Sequence, residues 1–145
     1  MSVILIACVD SEYGIGKNGG MPWGVLYNDL RFFKNTTLHN TCIAGYKTYK
    51  MLHKLSNRDW RLYDPEKPIN SYTDKDVYIV GGESVYNPTI DIADIIYLTQ
   101  IRDKAYGCDR FFPKFDKTKY EEKLLLGNNK ENGIYYDIWR YTRIT

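Results

Sequence analysis

The sequence predicts an α/β fold: one domain with a mainly parallel central sheet, flanking helices and an antiparallel hairpin at the C-terminus. Short, β-branched apolar runs alternate with helical patterns, as in parallel sheets whose strands are joined by helices. The last two apolar segments instead flank a polar stretch with glycines, which is typical of a hairpin. The length of 145 residues suits one domain, and the chain has neither internal repeats nor a linker-like segment.

The first quarter of the chain predicts a strand, a loop and a helix. Val3–Val9 is a continuous apolar run and is predicted to be a strand buried on both faces. Residues 14–24 hold five glycines and a proline, which predict a loop without helix or strand. Apolar residues then recur at helical spacing over Tyr27–Thr37. Asn28 and Asp29 lie in the first turn of this helix, where we expect their oxygens to accept hydrogen bonds from free backbone N–H groups.

The rest of the chain continues the alternation of strands and helices. Pro65 and Pro68 indicate an irregular connection in the middle of the chain, and Pro88 is expected to end a short helix. The remaining predicted elements are strand Thr41–Ala44, helix 47–55, strand 60–63, strand 77–80, helix 84–87, strand Ile95–Ile101, and hairpin strands 120–126 and 134–144 around a loop at 127–133.

Composition and charge argue against several classes of function. Twenty Lys and Arg residues against 18 Asp and Glu give a net charge of +2 without a basic block, which disfavours nucleic acid as a partner. No apolar run approaches the roughly 18 residues of a membrane helix, and the first ten residues lack the basic start of a signal peptide. The three cysteines lie far apart and the chain has two histidines, so we expect reduced thiols, a cytoplasmic location and no metal site.

Two glycine-containing segments allow both structural and functional interpretations. The spacing G-x-G-x-x-G at residues 14–19 matches a dinucleotide fingerprint, but a Met-Pro pair follows it instead of a helix. A flexible surface loop and a lid over a ligand therefore both stay open. Gly81-Gly82 lies between a buried strand and a helix start, where bare N–H groups bind phosphates but where glycines also simply turn the chain.

Five polar residues are open to two interpretations in the same way. Asp29 borders the apolar stripe of its predicted helix, so its carboxylate either interacts with the helix dipole or holds a ligand through two parallel hydrogen bonds. Burial there would raise its pKa and allow acid chemistry near neutral pH. Thr99 in a strand, Arg58 after a helix, and Lys47 with Thr48 at a helix start each fit a ligand site or an ordinary structural role.

In this order, the motifs resemble the dihydrofolate reductase family over nearly the whole chain except residues 59–75. The similarity is clearest at residues 14–37, GIGKNGGMPWGVLYNDLRFFKNTT, which resemble the family's mobile active-site loop and the helix with its catalytic acid. Further similarity lies at IAGYKTY (43–49), YIVGGESVY (78–86), YLTQI (97–101) and GCDRFFPKF (107–115). The resemblance implies the family's fold and reduction of 7,8-dihydrofolate to tetrahydrofolate by hydride transfer from NADPH, with NADH left open as an alternative.

The resemblance also implies roles for individual residues. Asp29, hydrogen-bonded by Thr99, would hold the pterin and govern its protonation, Trp23 would border the site, and Arg58 would bind the α-carboxylate of the glutamate tail. The other implied substrate contacts are Ile6, Ala7, Leu30, Phe33, Leu52, Val80 and Tyr86. The implied cofactor contacts are Cys8, Gly14, Ile15, Gly16, Lys17, Asn18, Gly19, Gly20, Tyr46, Lys47, Thr48, Gly81, Gly82, Glu83, Ser84, Val85 and Tyr86. A cis peptide bond is implied between the two glycines of the pair.

The sequence departs from the family's pattern around the implied adenosine site. Tyr46 stands where a basic residue is usual, and Asp64 stands where the family commonly has a serine and a basic residue facing the 2′-phosphate of NADPH. Residues 65–76 form a shorter segment than usual. Two alternatives stay open: a related pterin or pyrimidine reductase, against which Arg58 argues, and a folate-binding or structural relative without reductase activity. We expect a monomer that binds dihydrofolate and antifolate inhibitors.

Overall fold

A computed structural model describes residues 1–144, and within them the chain forms nine strands and three α-helices. The strands are β1 (Val3–Val9), β2 (Gly14–Gly16), β3 (Thr41–Ala44), β4 (Asp59–Leu62), β5 (Val77–Ile79), β6 (Ile95–Ile101), β7 (Arg110–Phe111), β8 (Tyr120–Glu131) and β9 (Ile134–Arg143). The helices are α1 (Tyr27–Thr37), α2 (Tyr46–Leu52) and α3 (Glu83–Thr89), and short 3₁₀ turns lie at Ile69–Ser71, Ile90–Ile92 and Lys117–Lys119.

Seven of these strands form one sheet in the order β4-β3-β5-β1-β6-β9-β8. Neighbouring strands from β4 to β6 run parallel, whereas β9 is antiparallel to both β6 and β8. β2 and β7 pair separately as a two-stranded antiparallel ribbon. The predicted fold class, a mainly parallel sheet with an antiparallel C-terminal hairpin, is therefore confirmed.

β1 lies in the middle of the sheet and faces a different apolar layer on each side. Leu5 and Val9 belong to the larger core cluster, which α3 also joins. Ile6 and Cys8 point to the other face, because side chains alternate along a strand, and there they pack with side chains of α1. Cys8 is paired in register with Thr99 of β6. Polar groups of two central strands thus lie under α1.

The C-terminal hairpin is longer than the sequence predicts. β8 continues to Glu131, so the predicted loop at 127–133 is wrong. The chain there stays paired with β9 because register shifts between Leu124 and Asn129 absorb the extra residues as bulges. The turn is confined to Asn132 and Gly133, whose φ angles of 52° and 75° are typical of a type I′ hairpin turn.

Other element boundaries differ from the prediction as well. Gly14–Gly16 forms β2 instead of a loop, because Arg110–Phe111 provides a partner strand beside it. α3 runs through Pro88 to Thr89, whose hydroxyl donates to the Val85 carbonyl at 2.7 Å in the turn that proline disturbs. α2 begins one residue earlier and ends three residues earlier than predicted, and β4 is shifted by one residue. No helix in the described part of the chain is long and apolar enough to cross a membrane.

Candidate active site

Asp29 and Thr99 meet between the first turn of α1 and β6. The Thr99 hydroxyl donates to Asp29 Oδ1 at 2.5 Å, and Thr99 is only 2% exposed. Cys8, the neighbour of Thr99 in the sheet, is close enough to the Asp29 carboxylate to influence its pKa. The structure therefore contains the hydrogen bond that the resemblance implies, with a thiol of β1 nearby.

Asp29 is half-buried, and its surroundings raise its pKa to about 6. Loss of hydration is the main cause, because burial disfavours the charged form of a carboxyl group. The hydrogen bond from Thr99 works in the opposite direction, whereas the negative charge of Glu131 adds to the rise. An acid with this pKa gains and loses its proton near neutral pH, as general acid catalysis requires.

The start of α1 is capped by Glu131, a residue of the distant hairpin. Its Oε1 accepts a hydrogen bond from the Tyr27 N–H at 2.6 Å, and its Oε2 accepts one from the Asn28 N–H at 3.1 Å. The prediction that Asn28 and Asp29 cap the helix with their own side chains is therefore wrong. Because an external carboxylate fills this role, the side chain of Asp29 is available to Thr99.

The face of the sheet beside α1 is apolar, and the region between its side chains and Asp29 is called the crevice below. The predicted wall residues on this face are buried or half-buried, and all except Leu30 belong to one cluster: Ile6, Leu30, Phe33, Leu52 and Val80. Tyr86 donates its hydroxyl to the Ile6 carbonyl at 2.6 Å, which brings α3 to the same place. Ala7 is different, because alternation along β1 turns its side chain to the larger core cluster on the opposite face. The side chain of Ala7 therefore cannot contact a ligand on the face of Ile6, and only its backbone can.

Arg58 is held against the last turn of α1. Its Nε donates to Thr37 Oγ1 at 2.9 Å, one terminal nitrogen donates to the Ser56 carbonyl at 2.6 Å, and the other donates to the Lys34 carbonyl. These contacts use three of the five N–H donors of the guanidinium and leave one on each terminal nitrogen. Such a pair is the fork that binds a carboxylate through two parallel hydrogen bonds.

The glycine pair lies against the start of α2. The Gly45 N–H donates to the Gly81 carbonyl at 2.8 Å, and the peptide bond between Gly81 and Gly82 is cis, as the resemblance implies. A Cβ added at Gly81 would lie 3.5 Å from Thr48 Oγ1, and Gly81 has a φ of 124°, which favours glycine. The first turns of α2 and α3 therefore meet at the carboxyl edge of the parallel strands, with first-turn N–H groups of both helices nearby.

The other predicted cofactor residues of these two helices are divided between the surface and the core. Tyr46 is 63% exposed, and Lys47 and Ser84 are also exposed. The side chain of Val85 is fully buried in the core, so only its backbone can contact a ligand. The Glu83 carboxylate accepts a hydrogen bond from a backbone N–H of β7 at 2.8 Å, which links α3 to the ribbon of β2 and β7.

Two carboxylates hold the predicted glycine loop in place by hydrogen bonds to its backbone. Asp10 is buried and accepts a hydrogen bond from the Gly14 N–H at 2.7 Å. A Cβ at Gly14 would lie 2.5 Å from Cys108 Sγ, so the close packing at this point requires glycine. Further along, Asp109 accepts a hydrogen bond from the Asn18 N–H at 3.1 Å. The segment is therefore anchored at its base and at its turn.

The remaining residues of this segment have different surroundings. Residues 17–20 form an exposed turn, whereas Ile15 packs against the larger core cluster and Gly16 is half-buried in β2. Trp23 is buried, with its ring centroid 5.5 Å from that of Tyr106. Cys8, which lies near Asp29, packs against the cluster that contains Trp23. Through Cys8, this cluster connects the indole to the surroundings of Asp29.

Sequence analysis missed four polar residues that hold this site together: Asp10, Asp109, Glu131 and Tyr136. Asp109, Glu131 and Tyr136 act on residues far away in the sequence or across a strand pair, so local spacing does not identify them. Asp10 acts on Gly14 four residues later, and its place between a buried strand and the glycine segment could have identified it. Among residues 1–144, no three His, Cys, Asp or Glu side chains are grouped in a way that could hold a metal ion.

Comparison with known proteins shows the family of this chain. The chain matches the family model described as dihydrofolate reductase over residues 2–60 and 62–143. It is 31% identical to a dihydrofolate reductase of Mycoplasma genitalium, covering 92% of this chain and 96% of the relative. It is 30% identical to one of Bacillus subtilis, covering 93% and 89%. Its structure is similar to a dihydrofolate reductase from Enterococcus faecalis complexed with NADP(H) and RAB-propyl, with a TM-score of 0.84, 30% identity, and coverage of 99% and 97%.

Proposed function

This chain belongs to the dihydrofolate reductase family, and from that premise we propose that it reduces 7,8-dihydrofolate to 5,6,7,8-tetrahydrofolate with NADPH as the hydride donor. The observation that carries the proposal is the pair of Asp29 and Thr99, a carboxyl group held by a buried hydroxyl at the edge of an apolar crevice. A flat heterocycle with adjacent N–H donors matches such a crevice, because the walls exclude water and the carboxylate fixes the orientation.

Asp29 would serve both binding and proton transfer. Its ionised form accepts two parallel hydrogen bonds from the amino group and ring nitrogen of the pterin. With a pKa of about 6, roughly a tenth of the molecules carry the proton on this group at pH 7. The protonated fraction favours protonation at N5 of the pterin, which the reduction needs. Thr99 keeps the carboxyl group in place in both states, since its hydroxyl donates to Oδ1.

The residues around the crevice support a substrate with an apolar ring and an anionic tail. Leu30, Phe33 and Leu52 would contact the rings, and the carbonyls of Ile6 and Val80 would accept from the pterin amine. The Ile6 carbonyl already accepts the Tyr86 hydroxyl and has a second lone pair. The two unused N–H groups of Arg58 would bind the α-carboxylate of the glutamate tail.

The residues that the resemblance assigns to NADPH fit that group. A Cβ at Gly45 would lie 3.2 Å from Val85, and one at Gly81 would lie 3.3 Å from the Tyr86 hydroxyl, so the two glycines allow α2 and α3 to approach each other closely. The first-turn N–H groups of these helices suit phosphate oxygens. Exposed Lys47 adds a positive charge beside them. Near Asp29, Cys8 packs against the apolar cluster that contains Trp23, and the glycine segment directly precedes Trp23 in the chain. When bound, NADPH supplies the hydride; the protein orients the two rings and excludes water.

We further propose that the whole chain is one domain that acts as a cytoplasmic monomer and binds antifolate inhibitors in the same crevice. One sheet contains both the first strand of the chain, β1, and the last, β9. These two strands are joined through β6, which lies between them. All three cysteines are free thiols, which suits a reducing compartment. The bulges in edge strand β8 disfavour pairing between copies. The balanced charge disfavours nucleic acid as a partner.

The activity is tested by following the oxidation of NADPH, and separately of NADH, with and without dihydrofolate. We expect oxidation that depends on dihydrofolate and that falls at least about 100-fold at neutral pH in Asp29→Asn. The control is Asp74→Asn, which removes an exposed carboxylate from the connection before β5. Unchanged turnover in Asp29→Asn would contradict the role of Asp29, and a wild-type protein that never oxidises either cofactor would contradict the function.

Two further measurements separate the alternatives. A tail-less dihydropterin that is reduced as well as dihydrofolate would indicate a pterin reductase instead, because the fork of Arg58 would then have no partner. Calorimetry that detects folate binding but no binding of NADPH or NADH would indicate a folate-binding relative without reductase activity. We expect tight binding of folate and of NADPH, and poor reduction of the tail-less compound.

A further inference from the structure

Two carboxylates with opposite environments meet at the first turn of α1: Asp29, which belongs to the turn, and Glu131, which accepts hydrogen bonds from it. Asp29 lies in this turn beside the apolar face of the sheet, and its carboxylate receives the hydroxyl of Thr99. Glu131 lies outside the crevice at the end of β8 and receives hydrogen bonds from two backbone N–H groups of the helix. One of these N–H groups belongs to Asn28, the residue directly before Asp29. A displacement of Glu131 would therefore displace the helix backbone next to Asp29.

Glu131 is itself held in a fixed place. It is paired with Ile134 across the tight hairpin turn, and its Oε2 also accepts a hydrogen bond from the hydroxyl of Tyr136, a fully buried residue of β9. Partial burial works to raise the pKa of Glu131, but the hydrogen bonds from Tyr136 and from the helix N–H groups outweigh it and hold the pKa below its usual value. Glu131 is thus ionised throughout the neutral range.

The charged and titratable groups around the two carboxylates come from every neighbouring element. Asp29 is faced by the following side chains of β1, α3, β6, β8 and β9: Cys8, Tyr86, Thr99, Glu131 and Tyr136. Glu131 is faced by Tyr136 and by Arg31 on the next turn of α1. Among these groups, Glu131 is the permanent negative charge next to Asp29, and like charges disfavour each other's ionised form.

We propose that Glu131 is a positioning residue for the reaction: it holds the first turn of α1 through two backbone N–H groups and places a fixed negative charge at the turn that carries Asp29. The inference rests on the proposed function of Asp29 but concerns a different residue. The hairpin would thereby contribute to proton transfer, although it is far from Asp29 in the sequence. Two carboxyl groups with different environments would share the work, one exchanging the proton and the other staying charged.

The variant Glu131→Gln removes the charge and one of the two oxygens that accept from the helix, and it keeps the other. The rate of hydride transfer requires protonated Asp29, so it falls as the pH rises through the pKa of Asp29. We expect Glu131→Gln to move this fall to lower pH by about half a unit, which lowers the single-turnover rate about three-fold above pH 7. The affinity for dihydrofolate should change little. The matched control is Glu121→Gln, an exposed carboxylate on the same strand, which should leave the profile unchanged.

A second measurement does not depend on activity. In carboxyl-labelled wild-type protein, NMR should show a titration curve for Glu131 with a second inflection near pH 6, because coupled groups report each other's ionisation. A Glu131 curve without that inflection, or a Glu131→Gln protein whose Asp29 titrates as in the wild type, would overturn the inference. An inactive wild-type protein would instead contradict the proposed function, and the NMR result would still decide the role of Glu131.

Discussion

The two ends of the proposed ligand site are built from different parts of the sheet. Around Asp29, the central strands β1 and β6 and helix α1 meet through buried groups such as Thr99. At the implied adenosine end, β4 is an edge strand, and its ion pair between Arg61 and Asp59 leaves about half of each side chain exposed, 44% and 50%. The described chain between β4 and β5 holds only the 3₁₀ turn Ile69–Ser71.

This difference indicates which changes should alter chemistry and which should alter affinity. Groups near Asp29 act in a water-poor crevice, where one lost hydrogen bond or charge has a large effect. Groups at the edge of the sheet act through solvent, which screens their charges. We therefore expect substitutions at the first end to change turnover, substrate binding or stability strongly, and substitutions at the second end to change only cofactor affinity, and weakly.

The largest effect in this comparison is expected for Arg58→Met, which removes the proposed carboxylate fork but keeps an apolar stem. The KM for dihydrofolate should rise about 100-fold, since a charge-assisted pair of hydrogen bonds is lost. The KM for a tail-less dihydropterin should stay the same, because that compound has no carboxylate. Steady-state kinetics with both compounds measures the difference.

Arg58 also supports α1, so its effect needs a structural control. Thr37→Val removes the hydroxyl that accepts from Arg58 Nε and leaves the guanidinium in the chain. We expect a loss of stability and little change in the KM for dihydrofolate. A similar rise in KM in both variants would mean that distortion of α1, and not the missing fork, weakens substrate binding.

A smaller effect, on stability, is expected for Asp29→Asn. Folding raises the pKa of Asp29 from 3.8 to about 6, so the native state binds a proton more readily than the unfolded chain. Stability therefore falls as the pH rises from about 4 to about 6, and above pH 6 the buried charge destabilises the native state throughout. Asparagine has no such charge and can still accept from Thr99. The variant should be more stable by about 2 kcal/mol at pH 8 and not at pH 4.

Urea unfolding at several pH values measures this difference. The gain in stability should shrink steadily below pH 6, while the activity of the variant stays low throughout. A constant difference between the two proteins at every pH would show that the proton on Asp29 is not its source. Such a result would also weaken the distinction between the crevice and the exposed edge, because that distinction rests on the cost of burying this charge.

The same distinction explains what the sequence could predict. The apolar runs of β1 and β6 and the helical spacing of α1 are local patterns, so the strand of Thr99 and the helix of Asp29 were predicted with their observed bounds. The capping of α1 by Glu131 depends on a hairpin about one hundred residues away, and no local pattern contains it. The extension of β8 was missed because bulges let glycine and asparagine stay in a strand.

The smallest effect is expected at the exposed end, for Asp64→Ser. Asp64 Oδ1 accepts a hydrogen bond from the Glu66 N–H at 2.9 Å, and a serine hydroxyl can accept the same bond, so the turn should be kept. Removing a negative charge beside the implied 2′-phosphate should tighten NADPH binding about three-fold at low salt and leave NADH binding unchanged. Turnover should not change, since this residue lies at the end of the site away from Asp29.

Titration calorimetry with both cofactors, at low and high salt, tests that prediction, with Asp74→Asn as the control on the same connection. The preference for NADPH should appear in Asp64→Ser alone and should fade as salt screens the phosphate. Equal tightening for both cofactors would indicate a change in the shape of the turn instead of a change in charge. A large change in turnover would show that the Asp64 end of the site is coupled to the Asp29 end. A screened surface charge could produce such a change only by moving the structure between these two ends.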